Sequence, residues 1–333
     1  MEKKLIVVLG VTGKQGGSVA KLFRSLPEWT VRGVTRDPST PKAVALRGQL
    51  DVEIVPGNLD DVGSLSSAFR GATAIFGLTN FWAPFEDPGT YALLAEGQTI
   101  NEYCYHIELQ RAMNLAEAAA ANLATVNRFI FSSLSHAKEW SKGKYTWVYH
   151  FGSKAEAVRR IKEKFPELAA RMSILQVGLY ATNWKTGLGN YFQKHADGSF
   201  TMSSPGNGDA PIPMVVPDKD TGSFVHALVN SPPGLNLLGY GQMLSLNEYM
   251  GLWSRITGVE RATYQEISLA DMEKAIPGDL GRELGEMAAY MTEFGYDGGD
   301  PTIVHPADLE VECPTTSIED YIKQENWSSL LES

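Results

Sequence analysis

The stretch Leu5-Ile6-Val7-Val8-Leu9-Gly10-Val11-Thr12-Gly13-Lys14-Gln15-Gly16-Gly17, continued by Ser18-Val19-Ala20-Lys21-Leu22-Phe23, decides the fold. Its apolar run follows the charged start Glu2-Lys3-Lys4 and reads as a buried parallel strand. The residues after Gly17 read as a helix. Between the two, the glycines recur as G-x-x-G-x-x-G rather than the G-x-G-x-x-G of the usual dinucleotide fingerprint. A strand that breaks at glycines into a helix leaves the first helical N–H groups free to meet a phosphate. Three glycines weaken a helix start, a cost that makes sense where backbone must approach a ligand closely. The competing reading is a glycine-rich turn with no ligand.

Arg36 narrows the choice of ligand. The run Trp29-Thr30-Val31-Arg32-Gly33-Val34-Thr35 reads as the second strand, and Arg36-Asp37-Pro38 closes it. That places Arg36 about twenty residues after the glycines, where an acidic side chain would bind a ribose 2′-OH and repel a 2′-phosphate. An arginine there favours the phosphorylated cofactor, NADP(H) over NAD(H). Asp37 follows directly, so the acidic alternative stays open. So does a plain solvated cation at a strand end.

Strand and helix signals then alternate. Strands are expected over 52–55, 74–79, 128–133 and 171–177, with helices over 64–69, 102–122 and 151–164. An irregular, aromatic-rich stretch spans 80–101. The pattern predicts an α/β fold, a Rossmann-type doubly wound parallel sheet with helices on both faces. Strict alternation stops near Asn183. Residues 185–214 are rich in Gly, Ser, Asn and Pro. Helices return after Gly222, over 247–257 and over 277–294, the last after a capped start at Leu269-Ala270-Asp271-Met272. The expectation is a nucleotide-binding domain over 1–182 and a second, smaller mixed C-terminal lobe over 183–333, with the chain crossing back near 215–240. Ligands of open α/β sheets bind at the sheet's C-terminal edge, which is where that lobe would sit.

The totals exclude several classes. A net charge of −10 argues against a nucleic-acid surface, which needs clustered Lys and Arg. No apolar run approaches the roughly 20 residues needed to span a bilayer. The first strand begins almost at once, leaving no room for a signal peptide. Cys104 and Cys313 make no metal-ligand spacing, so no metal is expected. A cytoplasmic protein with reduced thiols is the default expectation.

In order along the chain, the pieces resemble the NmrA-like group of atypical short-chain dehydrogenases. They are Val8-Leu9-Gly10-Val11-Thr12-Gly13-Lys14-Gln15-Gly16-Gly17, Val34-Thr35-Arg36, Gly57-Asn58-Leu59-Asp60-Asp61 and Leu78-Thr79-Asn80-Phe81-Trp82. Further on come Glu108-Leu109-Gln110 with Asn114, Phe131-Ser132-Ser133-Leu134, His150-Phe151-Gly152-Ser153-Lys154, Tyr180 to Asn183, and Asp220-Thr221-Gly222. The insertion between Trp82 and Gln110 looks like a fungal branch. The resemblance implies an NADP-binding lobe and a smaller lobe, with a small-molecule substrate in the cleft between them. On that basis the loop from Gly10 through Thr12, Gly13, Lys14 and Gln15 to Gly16 would cradle the pyrophosphate, and Arg36 the 2′-phosphate. Asn58 and Leu59 would flank the adenine. Thr79, Asn80 and Phe81 would line the path toward the nicotinamide ribose. Lys154 would reach the ribose and the reacting centre, and Tyr180 to Asn183 would close over the nicotinamide.

The chemistry is less settled. Typical short-chain dehydrogenases place a proton-donating tyrosine four residues before the lysine. Here that position is His150, with Tyr149 one residue back and about 100° round the helix. His150 lies on the same face as Lys154, and imidazole is the side chain best suited to giving and taking protons near neutrality, so it could replace the tyrosine. A packing or cofactor-contacting histidine is the favoured alternative. Lys154-Ala155-Glu156-Ala157-Val158-Arg159-Arg160 also looks like the lysine stretch of isoflavone-reductase-like enzymes, in which the lysine is the general acid/base. Lysines in apolar clefts give up a proton more readily. The plain alternative for Lys154 is a ribose anchor. Ser132 and Ser133 sit where the typical serine would, or they merely cap a strand end. Tyr103, Tyr105, His106 and Glu108 read first as core and rim residues, though a buried Glu108 would be a second proton carrier. Three classes remain. One is an NADPH-dependent reductase of a carbonyl or imine in a medium-sized apolar metabolite, served by Phe81-Trp82-Ala83-Pro84-Phe85, Tyr91 and Trp184. The others are a cofactor sensor that binds a protein partner and a non-redox isomerase that retains the cofactor.

Overall fold

Ile6, Val7 and Val8 have no accessible surface, because strand β1 (Lys4–Leu9) lies inside a sheet covered on both sides. The computed structural model describes residues 3–186 and 192–332. Glu2 and residues 187–191, within the Gly/Ser-rich stretch, lie outside the described residues. After β1 the order is α1 (Lys14–Ser25), β2 (Trp29–Thr35), α2 (Pro41–Leu50), β3 (Glu53–Pro56), α3 (Val62–Ala68) and β4 (Ala74–Gly77). Next come α4 (Ile100–Ala120), β5 (Arg128–Ser133), α5 (Ala137–Trp140), α6 (Tyr149–Lys164), α7 (Pro166–Ala169) and β6 (Met172–Val177). The second half holds β7 (Leu179–Tyr180), β8 (Gln193–Lys194), β9 (Phe200–Ser204), β10 (Ile212–Val215), α8 (Pro217–Asn230), β11 (Asn236–Gly239) and β12 (Gln242–Leu244). It ends with α9 (Leu246–Thr257), β13 (Ala262–Glu266), α10 (Leu269–Ala275), α11 (Asp279–Phe294), β14 (Ile303–Val304), α12 (Ile318–Gln324) and α13 (Ser328–Leu331).

The large sheet runs β14-β11-β6-β5-β4-β1-β2-β3, with every neighbouring pair parallel. Alternate residues of β1 serve opposite faces. Ile6 and Val8 pack with Val19, Phe23, Phe224 and Leu228 of α1 and α8. Val7 and Leu9 face Leu65, Leu115 and Ile161 of α3, α4 and α6. This is the doubly wound Rossmann arrangement, and its order reverses between β1 and β4. That switch point opens a crevice beyond the C-terminal strand ends. Strand β11 joins the same sheet beside β6, and α8 packs on α1, so the chain returns to the sheet after residue 215. Two smaller sheets, β12-β10-β7 and β13-β9-β8, accompany a third core built around the fully buried Trp253 and Tyr290.

Several expected boundaries move, each for a local reason. Helix α4 begins at Ile100 rather than 102, because Thr99 and Glu102 form a capping box: each side chain accepts the other's backbone N–H at 3.1 Å. The stretch before it is not wholly irregular, since Ala83–Glu86 and Pro88–Leu93 form short 3₁₀ turns that start at or beside proline. The single helix expected after a start at 269 is two. Ser268 caps α10, and the chain breaks at Ile276-Pro277-Gly278, with Gly278 at φ +80°, before α11 begins. Helix α2 has no counterpart in the sequence reading. Thr40 caps it and Pro41 opens it, but only Ala43 is buried, so it has almost no apolar stripe to read. No described helix is long and apolar enough to cross a membrane.

Candidate active site

The loop after β1 turns at Gly10, whose φ of +58° suits glycine. Gly13 N–H closes the turn onto the Gly10 carbonyl at 2.8 Å. At position 16 a Cβ would lie 2.4 Å from the Gly10 carbonyl oxygen and 2.6 Å from that of Leu9, so only glycine lets α1 approach β1 this closely. Gly13 is the N-cap and offers no side-chain acceptor, and the first turn of α1 holds no acidic residue. The opening N–H groups of α1 therefore lack the usual side-chain partner, a donor set that fits a pyrophosphate.

The mouth of this loop is crossed by hydrogen bonds. Lys14 Nζ donates to Thr182 Oγ1 at 2.7 Å, and Gln15 Nε2 donates to the Tyr180 hydroxyl at 2.5 Å. Ser132 Oγ donates to Gln15 Oε1 at 2.9 Å. Burial holds the Lys14 amine below its ordinary range and pushes the Tyr180 phenol above its own. Asn183 heads the turn Asn183–Lys185 just beyond, and Thr12 is half-buried at the loop's shoulder.

Beyond β2, Arg36 is exposed. Its acidic neighbour Asp37 is engaged by Ser39, whose N–H and hydroxyl donate to one carboxylate oxygen at 2.8 and 2.6 Å. Asp60 is held below the usual carboxylate range, first by two hydrogen bonds from Arg111 at 2.8 Å and further by the charge of Arg36. Asn58 is exposed and caps its own turn through Oδ1, while the Leu59 carbonyl accepts from Asn114 Nδ2 at 2.9 Å.

Helix α6 carries the candidate proton carriers. Lys154 Nζ pairs with Glu108 Oε1, on an α4 side chain only 1% exposed. Thr79, just after β4, donates its hydroxyl to the same oxygen at 2.7 Å, and Ser153 Oγ donates to Glu108 Oε2. One turn earlier, His150 is bound by Glu283 of α11. Oε1 of that carboxylate accepts the His150 backbone N–H at 2.9 Å and lies 2.5 Å from Nδ1. Asn101 Nδ2 donates to Oε2 at 2.6 Å, and Glu283 is fully buried. The His150 ring lies 4.9 Å from that of Trp82 and 5.8 Å from that of Phe81, centroid to centroid.

The structure thus brings Thr79, Glu108, Ser153 and Lys154 together in one cluster, and Phe81 and Trp82 beside His150. Phe81 is core, 1% exposed and packed on Ile100 and Cys104. Asn80 is exposed, and its Oδ1 accepts the Trp82 N–H at 3.1 Å. Tyr149 turns elsewhere, its ring edge-on to those of Tyr105 and Trp147, and burial pushes its phenol up to about 12. The expected cluster early in the long helix divides, since Glu108 is buried and His106 exposed. The aromatic set divides too. Tyr91 lies on the surface, and Trp184 stacks on Trp327 at 4.5 Å within the C-terminal core. Glu283 and Asn101 went unread. Each is a buried polar residue on a helix, a pattern with no signal in one sequence. Among the described residues no group of three or more His, Cys, Asp or Glu could hold a metal ion.

The model of the NmrA-like family matches residues 2–329. The chain belongs to the NmrA-like family. Among its relatives is the NmrA-like oxidoreductase cpsB of Aspergillus campestris, 27% identical over 241 residues; the match spans 69% of this chain and 65%, just under two thirds, of the relative. The NmrA-like oxidoreductase malD of Malbranchea aurantiaca is 26% identical over 326 residues, 94% of this chain and 89% of its own. Among solved structures, NmrA, a negative transcriptional regulator, in complex with NADP matches at TM-score 0.71 and 20% identity, covering 97% of this chain and 95% of that one. Another NmrA structure holds NAD, at TM-score 0.72 and the same identity and coverage. The NADPH-dependent quinone oxidoreductase QOR2 of Escherichia coli, complexed with NADPH, matches at TM-score 0.65 and 18% identity, covering 95% and 98%. At such identities the likeness shows the fold of this NmrA-like chain alone.

Proposed function

We propose that this NmrA-like protein is an NADP(H)-dependent oxidoreductase that reduces a carbonyl or imine of a medium-sized apolar molecule. The observation that carries the reading is the Lys154 ammonium held on buried Glu108, with Thr79 and Ser153 on the same carboxylate, at the end of the crevice that begins at Gly10. The relatives cpsB and malD, named as oxidoreductases of the same family, support the same class.

On this reading Gly10, Thr12, Gly13, Lys14, Gln15 and Gly16 hold the pyrophosphate, and Arg36 meets the 2′-phosphate because Asp37 is turned onto Ser39. Asn58 and Leu59 flank the adenine; Thr79, Asn80 and Phe81 border the nicotinamide ribose; Tyr180 and Asn183 close the mouth. When bound, the cofactor supplies the hydride. Lys154 then gives a proton to the substrate oxygen or nitrogen, and Glu108 holds the ammonium at that place until it does. The substrate lies between the sheet's C-terminal edge and the 183–333 part.

Fluorescence titration with NADPH and NADH tests the cofactor, and NADPH oxidation with a panel of apolar ketones and imines tests the reaction. Arg36→Ala should weaken NADPH by about 10- to 100-fold, the worth of one charge-assisted contact, and leave NADH within about twofold. Equal losses for both would show that Arg36 does not read the phosphate. A wild-type protein that binds neither would overturn the whole reading.

A further inference from the structure

Helix α6 has no cap of its own. Its N-cap residue is Val148, whose side chain accepts nothing, so the first N–H groups must find acceptors elsewhere. One of them, that of His150, finds Glu283 Oε1 on α11, and Glu286 Oε2 of the same helix accepts the N–H groups of Thr146 and Trp147, just ahead of α6, each at 2.7 Å. Two carboxylates one turn apart on one helix therefore hold the entry to another.

Glu283 does more than cap. Its Oε1 already receives one backbone proton and its Oε2 receives one from Asn101, so the carboxylate is serving as an acceptor on both oxygens. Nδ1 of His150, 2.5 Å from that same Oε1, must then bring its own proton. Nε2 bonds no described residue, and the side chain keeps 9% of its surface open. The ring cannot turn over to exchange its nitrogens without abandoning a fully buried carboxylate, a step that would leave a charge unpaired.

We infer that Glu283 is a positioning residue: it fixes His150 with the proton on Nδ1 and presents Nε2, beside Trp82, as the one nitrogen that can meet a ligand. Its place at the substrate end of a reductase rests on the function proposed above; the tautomer itself does not. The consequence is that the C-terminal part, through α11, sets which edge of His150 the site presents.

Nitrogen NMR of histidine-labelled protein, without cofactor, tests this directly. The His150 signals are identified by their loss in His150→Gln. The wild type should carry a proton on Nδ1. Glu283→Gln keeps an acceptor of the same shape and should retain that proton, while Glu283→Leu should lose the Nδ1–H signal and move the proton to Nε2. A wild-type His150 with bare Nδ1, or a Glu283→Leu spectrum matching wild type, overturns the assignment. If Glu283→Leu fails to fold, the wild-type spectrum alone still decides. In an active enzyme, Glu283→Leu should lower kcat and leave KM for NADPH unchanged, with Glu283→Gln partly restoring kcat. A chain that binds no NADPH yet shows Nδ1–H on His150 loses the proposed function and keeps the role of Glu283.

Discussion

Helices α4 and α6 pack against each other and share the site, yet their first turns are held in opposite ways. Helix α4 is capped from within, by Thr99 and Glu102 three residues apart. Helix α6 is capped from outside, by Glu283, which lies 133 positions after His150, while Glu286 holds Thr146 and Trp147 just ahead of it. The same contrast divides the two buried carboxylates. Glu108 reaches Lys154 from a helix of the sheet domain, whereas Glu283 reaches His150 from α11. A helix with its own cap can form its ends early and independently. One that borrows its cap has its correct start only once the distant helix has docked. Side chains on the borrowed start are therefore tied to the seating of α11, and those on the self-capped helix are not.

Lys154→Met should have the largest effect. It should lower turnover by about 10²- to 10⁴-fold, the usual range for a lost general acid, with NADPH affinity nearly unchanged by titration. Retained turnover would remove Lys154 as proton carrier. Glu108→Leu comes next. Taking one partner from a buried pair leaves Lys154 uncompensated, and urea unfolding should register a loss of about 3–5 kcal/mol. A loss below about 1 kcal/mol would mean that the lysine escapes to solvent, and the pair would then differ in kind from His150–Glu283. Thr99→Ala should have the smallest effect, about 1 kcal/mol of stability for a lost N-cap, with the Lys154 chemistry untouched. Should it instead depress turnover as strongly as Lys154→Met, the distinction between self-capped and borrowed helix starts would collapse.

Much of the molecule was legible because its signals are local. The apolar run into Gly10, the glycine spacing and the helix after it lie within a few turns of chain, and steric limits at Gly16 leave no other residue there. The helix start at Thr99 was legible too, through a Thr-x-x-Glu box that the reading passed over, as was Thr40-Pro41 ahead of α2. Lys154 was singled out through the family resemblance, and His150 through its place four residues earlier on the same helix face. The lysine's partner Glu108 stood out only as one acidic residue in a polar and aromatic group, and nothing in the order of residues says that Glu108 turns inward while His106 turns out. The separation of Trp184 from Trp82 is of the same type. Both look like ligand-facing aromatics in sequence, and packing alone sends Trp184 onto Trp327.

The sequence by itself determined the parallel sheet, the glycine loop after β1, the strand-end arginine and the helix that presents Lys154, because each follows from backbone sterics, strand and helix periods and short-range caps. Only the tertiary structure decided which carboxylates meet that helix and which nitrogen of His150 is left free. Those outcomes depend on buried polar groups finding partners across the fold, and a buried charge settles where its donors converge rather than where its neighbours in the chain point.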